Sequence, residues 1–363
     1  MNRHITFLAV LILCIFAYSD VRAISYNVID LGTLGGTFSE ATGINDSGQV
    51  VGSAETTGGT SHAFLYSGSI MNDLGTLGGT VSSATGINDS GQVVGMAWTT
   101  ANVDHAFLYN GSTLINLGTL GGTVSRGYGI NNSGQVVGRA WTTGDAAWHA
   151  FLFNGSTMND LGTLGGTLSR AYGINDSGQV VGYSDTSNAA VHAFFYNGST
   201  MIDLGTLGGR DSYAYGINTS EQIVGGANTT GDAARHAFLN SGSTMIDLGT
   251  LGGTESRAVG INDSGQVVGW SYMTSNAVTH AFLYSGSTMI DLNTLIDPLS
   301  GWTLSNATDI NDAGQIVGSG LIGDQTHAFL LTPVPEPSTL ALLCSALLGL
   351  GWVFFARRRA MRM

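Results

Sequence analysis

The feature that most constrains this chain is a repeated unit of 43 or 44 residues, longer only in the last copy, marked by three short motifs that each occur seven times. The first motif, D-L-G-T-L-G-G, starts at Asp30, Asp73, Asn116, Asp160, Asp203 and Asp247 and returns as D-L-N-T-L at Asp291. The second, G-I-N, starts at Gly43, Gly86, Gly129, Gly173, Gly216 and Gly260 and returns as D-I-N at Asp309. The third, His-Ala-Phe, starts at His62, His105, His149, His192, His236, His280 and His327. A fixed period of this length indicates a stacked repeat architecture and matches one four-stranded propeller blade.

A single unit predicts four short β-strands. Ser169–Asn175 alternates larger and smaller side chains as a strand does, and Asp176–Gly178 supplies turn residues. Gln179–Gly182 leads a second strand, His192–Tyr196 is an apolar third strand, and Met201–Leu207 is predicted to be the fourth. The whole repeat region, residues 24–333, is therefore predicted to be all-β.

Sheets of this kind must stack on one another to bury their apolar faces, and the stack is either open or closed. An open solenoid needs polar capping units at its ends, but the first unit is almost as regular as the middle ones. We therefore expect a closed seven-bladed β-propeller, with an open β-solenoid as the alternative. The insertion Asp297–Trp302 is expected to be a loop on the closing blade.

The two ends of the chain have the composition of targeting segments. Residues 1–23 combine Arg3, an apolar run over Ile5–Tyr18 and a small-residue cleavage pattern at Val21–Ala23, which predicts a signal peptide cut after Ala23. An uncleaved membrane anchor is the alternative, although the apolar run is shorter than the roughly 20 residues that a membrane span needs.

Residues 334–363 are predicted to form a second targeting segment around an uncharged stretch, Thr339–Ala356, with the length of a transmembrane helix and a cytoplasmic arginine-rich end. The stretch lies between Pro335, Glu336 and Pro337 on one side and Arg357, Arg358 and Arg359 on the other. This order closely resembles the PEP-CTERM sorting signal of Gram-negative bacteria that make extracellular polysaccharide. The resemblance implies cleavage by an exosortase-type membrane protease and a final place on the cell surface or in the extracellular matrix. A plain C-terminal anchor is the alternative.

Composition narrows the classes of partner. Both cysteines, Cys14 and Cys344, lie in the terminal segments, so the repeat region has no disulfide and no cysteine metal site. The chain has no lysine, and residues 24–333 carry six arginines against 23 acidic residues. Because nucleic-acid binding depends on neutralising phosphates with Lys and Arg, we expect no nucleic-acid partner.

The repeat itself resembles a known family. H-A-F-L-Y-x-G, D-L-G-T-L-G-G and G-I-N-D-S-G-Q-V-V-G together look like the HAF family of extracellular repeats, over about Ile24 to Thr332. The resemblance implies an extracellular repeat protein and supplies no substrate.

The motifs do not indicate an enzyme, a metal site or a cofactor. Each repeated histidine precedes an apolar strand, so we expect it to hydrogen-bond within its blade and not to bind metal. The four glutamates of residues 24–333, Glu40, Glu55, Glu221 and Glu255, form no local pair of the kind that glycoside hydrolysis needs. No catalytic residue, metal or cofactor is predicted.

The positions at which the copies differ supply the candidate binding residues. Aromatic and arginine side chains gather in the middle units, and sugar recognition uses an apolar ring face with hydrogen bonds at its edge. The candidates are Arg126, Tyr128, Trp141, Arg170, Tyr172, Tyr183, Tyr215 and Trp270. The alternative is that these rings pack the seams between blades. We thus expect an exported, non-catalytic surface or biofilm-matrix protein that binds polysaccharide. A structural or adhesion protein that contacts surface proteins comes second, and a polysaccharide hydrolase third.

Overall fold

A computed structural model describes residues 25–242 and 244–334, and the compact unit within them is Asn27–Thr332. This part of the chain is all-β, with 28 strands and three single-turn 3-10 helices. The 3-10 helices are Thr143–Asp145, Thr230–Asp232 and Leu292–Thr294. In the described ranges, no helix has the length and apolar character required for a membrane span. The predicted signal peptide (1–23) and the predicted helix at Thr339–Ala356 lie outside the described residues.

The strands recur in four positions. First-position strands are β2 (Gly35–Ile44), β6 (Gly78–Ile87), β10 (Gly121–Ile130), β14 (Gly165–Ile174), β18 (Gly208–Ile217), β22 (Gly252–Ile261) and β26 (Trp302–Ile310). Second-position strands are β3 (Val50–Thr56), β7 (Val93–Thr99), β11 (Val136–Thr142), β15 (Val180–Thr186), β19 (Gln222–Thr229), β23 (Val267–Met273) and β27 (Ile316–Ile322). Third-position strands are β4 (Ser61–Ser67), β8 (Asp104–Tyr109), β12 (Trp148–Phe153), β16 (Val191–Tyr196), β20 (Arg235–Ser241), β24 (Thr279–Ser285) and β28 (Gln325–Pro333). Fourth-position strands are β5 (Ile70–Asp73), β9 (Leu114–Asn116), β13 (Met158–Asp160), β17 (Met201–Asp203), β21 (Thr244–Asp247), β25 (Thr288–Asp291) and β1 (Tyr26–Asp30).

The strands form four-stranded sheets in the order first, second, third and fourth position, as in β10-β11-β12-β13. The sheet that contains β26, β27 and β28 is completed from the start of the chain, because β1 pairs with β28. In that sheet the amide of Leu31 donates a hydrogen bond of 3.0 Å to the carbonyl of Ala328. The first repeat marker therefore ends a strand of the last sheet, which the count of motifs did not predict.

Two strand bounds predicted from the sequence were wrong. The fourth strand ends at Asp203 and not at Leu207, because the Asp203 carboxylate accepts a hydrogen bond of 2.8 Å from the amide of Gly205. Gly205 has a φ of 71°, a left-handed conformation that glycine tolerates, and this turn ends the strand. The first strand of the unit read above starts at Gly165, before the predicted Ser169.

Buried asparagines of the G-I-N motif connect the first-position strands into a closed ring. The side-chain amide of Asn45 donates to the carbonyl of Asn88 at 3.0 Å, and that of Asn311 donates back to the carbonyl of Asn45 at 3.0 Å. The same contact recurs at every step, through Asn45, Asn88, Asn131, Asn175, Asn218, Asn262 and Asn311. The sheets thus surround a central channel as the blades of a β-propeller do, and the stack is not open-ended.

The apolar core lies between neighbouring sheets. One cluster combines Val137 and Ala150 with Ala171, Val180 and Phe194 of the next sheet, all fully buried. The phenylalanine of every His-Ala-Phe motif is likewise fully buried. Because no sheet covers its own faces, each one depends on its two neighbours for stability.

The repeated histidines take part in hydrogen bonds that link the strands and the sheets. Nδ1 of His149 lies 2.7 Å from Oδ2 of Asp160 at the end of the fourth strand. The hydroxyl of Ser169, on the next sheet, accepts from the amide of Ala150 at 2.8 Å and donates to the carbonyl of Gly162. The hydrogen-bonding role expected for the histidines is what the structure shows.

Candidate ligand-binding site

The channel contains a cavity towards each end, and the two share a ring of isoleucines. The cavity at one end, the polar mouth, has a volume of about 210 Å³ and is lined by the asparagines that recur in each repeat and the residues that follow them. Those following residues are Asp46, Asp89, Asn132, Asp176, Thr219, Asp263 and Asp312. The cavity at the other end, the aromatic mouth, has a volume of about 450 Å³, and the residues that distinguish it are Tyr128, Tyr172, Tyr215, Arg257 and Trp270.

Tyrosine side chains line one half of the aromatic mouth. The rings of Tyr128 and Tyr172 stack with centroids 4.7 Å apart, and Tyr172 meets Tyr215 edge to face at 5.2 Å. The equivalent residues on the other side of the cavity are small, and among them are Thr42 and Thr85. The mouth is therefore asymmetric, because large rings from the middle repeats face threonines from the outer ones.

Arginine side chains cover the rings of this half. The Arg257 guanidinium lies 5.1 Å from the ring centroid of Tyr215 and 5.4 Å from that of Trp270. The same kind of contact joins Arg139 to Trp148 at 4.3 Å, Arg235 to Tyr213 at 4.9 Å and Arg170 to Tyr183 at 5.5 Å. Each is a cation–π contact, which fixes the guanidinium without neutralising its charge.

The eight predicted residues lie on four consecutive sheets of the structure, and only some of them reach the cavity. Four of them, Tyr128, Tyr172, Tyr215 and Trp270, line the cavity. Tyr183 stacks on Tyr172 at 5.6 Å and carries Arg170 over its ring. All eight side chains are half-buried.

The other four, Arg126, Trp141, Arg170 and Tyr183, lie outside the cavity lining, and Arg126 and Trp141 have partners of their own. Nε of Arg126 donates a hydrogen bond of 2.7 Å to Asp104. Trp141 stacks on Trp148 at 4.5 Å. The stacked pair Tyr128 and Tyr172 joins neighbouring sheets, so packing at the seams, the alternative interpretation, is part of what these rings do.

The candidate set omitted residues that complete this surface, namely Arg139, Trp148, Tyr213, Arg235 and Arg257. Trp148 and Arg235 could have been found from the sequence, because each lies directly before a repeated histidine and the residue at that position differs from copy to copy. The residues at that position are Ser61, Asp104, Trp148, Val191, Arg235, Thr279 and Thr326. In the structure this position pairs across strands with the one that carries Trp141, which explains why it belongs to the same surface.

One carboxylate, that of Asp309, lines the aromatic-mouth cavity. It stands where the other copies have the glycine of G-I-N, and it accepts hydrogen bonds from the amides of Ile44 at 3.0 Å and Ile310 at 2.9 Å. Burial raises the pKa of Asp309 to about 7 in spite of these hydrogen bonds. Burial also raises the pKa of Tyr215, to about 12, and lowers the pKa of Arg139. Within residues 25–242 and 244–334, no cluster of His, Cys, Asp and Glu could hold a metal ion.

Comparison with known families identifies the C-terminal segment. Residues 333–359 match the PEP-CTERM protein-sorting motif. This motif implies export, a membrane-anchored precursor and processing by an exosortase. The sorting signal predicted from Pro335, Glu336, Pro337 and the arginine cluster is thereby confirmed. No curated protein matches the chain.

Several solved structures are similar to the chain at low identity. YCF48 in complex with a D1 peptide is 10% identical, with 88% of this chain and 98% of that chain covered and a TM-score of 0.49. A candidate TolB from Agrobacterium tumefaciens is 10% identical, with 86% and 100% covered and a TM-score of 0.44. A mutant Aleuria aurantia lectin in complex with Fucα1-6GlcNAc is 11% identical, with 83% and 97% covered and a TM-score of 0.36. These likenesses assign no ligand and no activity.

Proposed function

We propose that this protein is an exported, non-catalytic β-propeller that binds an extracellular polysaccharide at its aromatic mouth. Residues 24–333 form one domain of seven HAF-type blades, residues 1–23 are a signal peptide, and residues 334–363 are the sorting signal. After export and exosortase processing, the domain acts at the cell surface or in the biofilm matrix.

The observation that carries this proposal is the aromatic mouth itself. Its volume of about 450 Å³ falls within the range of about 300–1,000 Å³ that is usual for ligand sites. Tyr128, Tyr172 and Trp270 supply apolar ring surface, and Arg257 and Asn306 supply polar groups at the same cavity. Sugars are bound by this combination of ring faces and planar hydrogen-bonding groups.

Titration of the full-length protein in detergent micelles with the producing organism's extracellular polysaccharide tests the proposal. Tryptophan fluorescence should change and saturate, and Tyr172→Ala and Trp270→Ala should each weaken binding about tenfold or more, a loss of roughly 1.4 kcal/mol. Trp302→Phe is the matched control, because Trp302 contacts Phe329 and does not line the cavity. A folded protein that gives no saturable change would exclude polysaccharide binding.

The second candidate function is structural or adhesive contact with surface proteins. It is favoured by the fourth-position strands, which expose a series of isoleucines at the outer edges of the sheets. These residues are Ile29, Ile70, Ile115, Ile202 and Ile246. Free sugars would compete with a polysaccharide at the aromatic mouth but not with a protein bound to these edges.

A hydrolase is the third candidate. Hydrolysis of a glycosidic bond usually needs two carboxylates on either side of that bond, whereas Asp309 is the one carboxylate among the residues that line the aromatic-mouth cavity. Release of reducing ends from the bound polysaccharide would favour this candidate over a binding protein.

A further inference from the structure

We infer that the polysaccharide bound at the aromatic mouth is acidic, and that its carboxylates interact with the arginines around the mouth. This inference rests on the proposed function and names the chemical class of the ligand. The surface concerned, called here the arginine arc, consists of Arg126, Arg139, Arg170, Arg235 and Arg257.

The distribution of positive charge is the first observation. Residues 24–333 contain six arginines and no lysine against 23 acidic residues. Five of the six arginines belong to the arc, which spans four consecutive repeats, and the sixth is Arg210. A strongly acidic domain thus keeps nearly all its fixed positive charge on the repeats that supply the rings of the aromatic mouth, where it raises the local concentration of anions.

The second observation is that acidic side chains of the protein do not neutralise most arginines of the arc. Among the described residues, Arg126 is the one member of the arc that forms an ion pair, with Asp104. The other four make no salt bridge within the described part of the chain and lie over aromatic rings instead. Arg170, Arg235 and Arg257 are only half-buried, so their charges remain available to an anion.

Polar atoms without partners at the cavity are the third observation. Within the described residues, Nε of Arg257 and Oδ1 of Asn306 are buried and have no hydrogen-bond partner, and both residues line the aromatic mouth. Leaving such an atom unpaired costs free energy of folding, and the cost is larger for a charged group. One donor and one acceptor on residues of the same cavity suit a ligand that carries both carboxylate and hydroxyl groups, as a uronic acid does.

The cavity distinguishes an acidic sugar from an acidic peptide. The rings of Tyr128, Tyr172 and Trp270 line it, and they offer apolar surface to the flat face of a sugar ring. A run of acidic side chains would use the arginines but not this surface. The inference is therefore an acidic polysaccharide, and an acidic polypeptide becomes an outcome of the test.

The experiment compares ligands that differ only in charge. The full-length protein in detergent micelles is titrated with hexagalacturonate and with its fully methyl-esterified form, and also with the producing organism's polysaccharide before and after reduction of its carboxyl groups. We expect the neutral forms to bind about tenfold more weakly or worse. Binding of the acidic forms alone should weaken as sodium chloride is raised from about 50 to about 300 mM, because salt screens exposed charges.

Substitutions locate the effect in the arc. Arg170→Gln and Arg257→Gln should each weaken binding of the acidic forms about fivefold or more, and by a larger factor than they weaken binding of the neutral forms, since one charged contact is lost. Arg257→Lys keeps the charge and should recover part of the affinity, which separates charge from folding. Arg210→Gln is the control, because it removes an arginine outside the arc.

The outcomes separate this inference from the proposed function. Equal binding of the acidic and neutral forms would overturn the acidic specificity and leave polysaccharide binding intact. Absence of binding to any of the four glycans by a folded protein would overturn both. Binding of poly-glutamate as tight as that of hexagalacturonate would show a general anion site and would overturn recognition of a sugar.

Discussion

The two mouths of the channel are built from the same inner strands, yet they have diverged to very different degrees. At the polar mouth every repeat supplies an asparagine, and five of the seven residues that follow are aspartates. At the aromatic mouth the corresponding positions hold tyrosine, threonine or valine, and the positions two residues earlier hold glutamate, serine, arginine, tyrosine or asparagine. The polar mouth is acidic and nearly regular, whereas the aromatic mouth carries the arginine arc on one side only.

Hydrogen bonding explains this difference. Each asparagine of the polar mouth holds its own turn and the next blade together, so a change in one copy disturbs two blades. Asn131, for example, donates to Oε1 of Gln135 at 2.8 Å and to the carbonyl of Asn175 at 3.1 Å. At the aromatic mouth, Thr42, Thr85 and Thr308 also donate to a carbonyl of the next blade. The tyrosines that replace threonine in the middle repeats contact other aromatic rings and arginines instead. The polar mouth therefore keeps one hydrogen-bond pattern in every repeat, whereas the aromatic mouth departs from its own pattern in the middle repeats, where tyrosine replaces threonine.

The largest effect is expected from Asn131→Ala at the polar mouth. The substitution removes three hydrogen bonds, leaves the backbone amide of Gln135 without its partner, and leaves the carbonyl of Asn175 with the hydrogen bond from the amide of Gly178 alone. The free energy of unfolding should fall by about 3 kcal/mol. Urea denaturation followed by fluorescence measures it. Tyr128→Thr, which copies the threonine of the preceding repeat, is the matched change at the aromatic mouth and should cost about 1 kcal/mol or less; equal losses would contradict the comparison.

The next largest effect on stability is expected from Asp309, because its carboxylate is buried at the aromatic-mouth cavity. Its pKa of about 7 in the folded protein exceeds the usual 3.8, so the folded state holds the proton more tightly than the unfolded state. Stability from this group is complete below about pH 4 and is lost as the pH rises to about 7. Asp309→Asn should therefore stabilise the protein by about 2 kcal/mol more at pH 8 than at pH 4.5. Parallel stability curves for the two proteins would show that this carboxylate does not titrate in that window.

A smaller effect, of opposite sign for stability and binding, is expected from Arg139→Met. Arg139 is only 9% exposed and its Nε has no partner among the described residues, so its charge is held at a cost in stability. Methionine occupies the equivalent position in an earlier repeat, at Met96, and its sulfur packs well against an aromatic ring such as Trp148. The free energy of unfolding should rise by about 1 kcal/mol while hexagalacturonate binds about threefold more weakly. A loss of stability of the same size would mean that Arg139 serves folding and not a ligand.

Much of the fold could be predicted from the sequence because residues that folding requires recur at the same positions in each repeat. The period, the turn residues and the His-Ala-Phe strand predicted four-stranded all-β units, which the structure confirms. Pairing of β1 with β28 was not predictable in the same way, because Tyr26–Asp30 lies outside any complete unit and its partner is almost 300 residues away. The end of the fourth strand was misplaced because an Asx turn at Asp203 outweighs the apolar pattern through Leu207.

The candidate site was predictable only in part. Differences between copies pointed to Tyr128, Tyr172 and Trp270, since a varied position in a repeat is one that folding does not fix. Variation between copies does not show which residues reach the cavity. The positions of Trp141 and Arg126 vary as much as that of Tyr172, but these two residues lie outside the cavity lining. Trp148 and Arg235 were missed because their place beside the mouth follows from strand pairing, which joins them to positions several residues away in sequence.

The smallest effect tests whether the arc acts through unpaired charge. Asp104 neutralises Arg126, so Asp104→Asn should release one more cation at the aromatic mouth and tighten hexagalacturonate binding about threefold at low salt. Asp263→Asn removes the same formal charge at the polar mouth, and its side chain can still accept the hydrogen bond from the amide of Thr219. If both variants bind more tightly by the same factor, the gain reflects net charge alone. A gain confined to Asp104→Asn would place the anion at the arginine arc, because the two mouths differ in their distance from Arg126 and not in the charge removed.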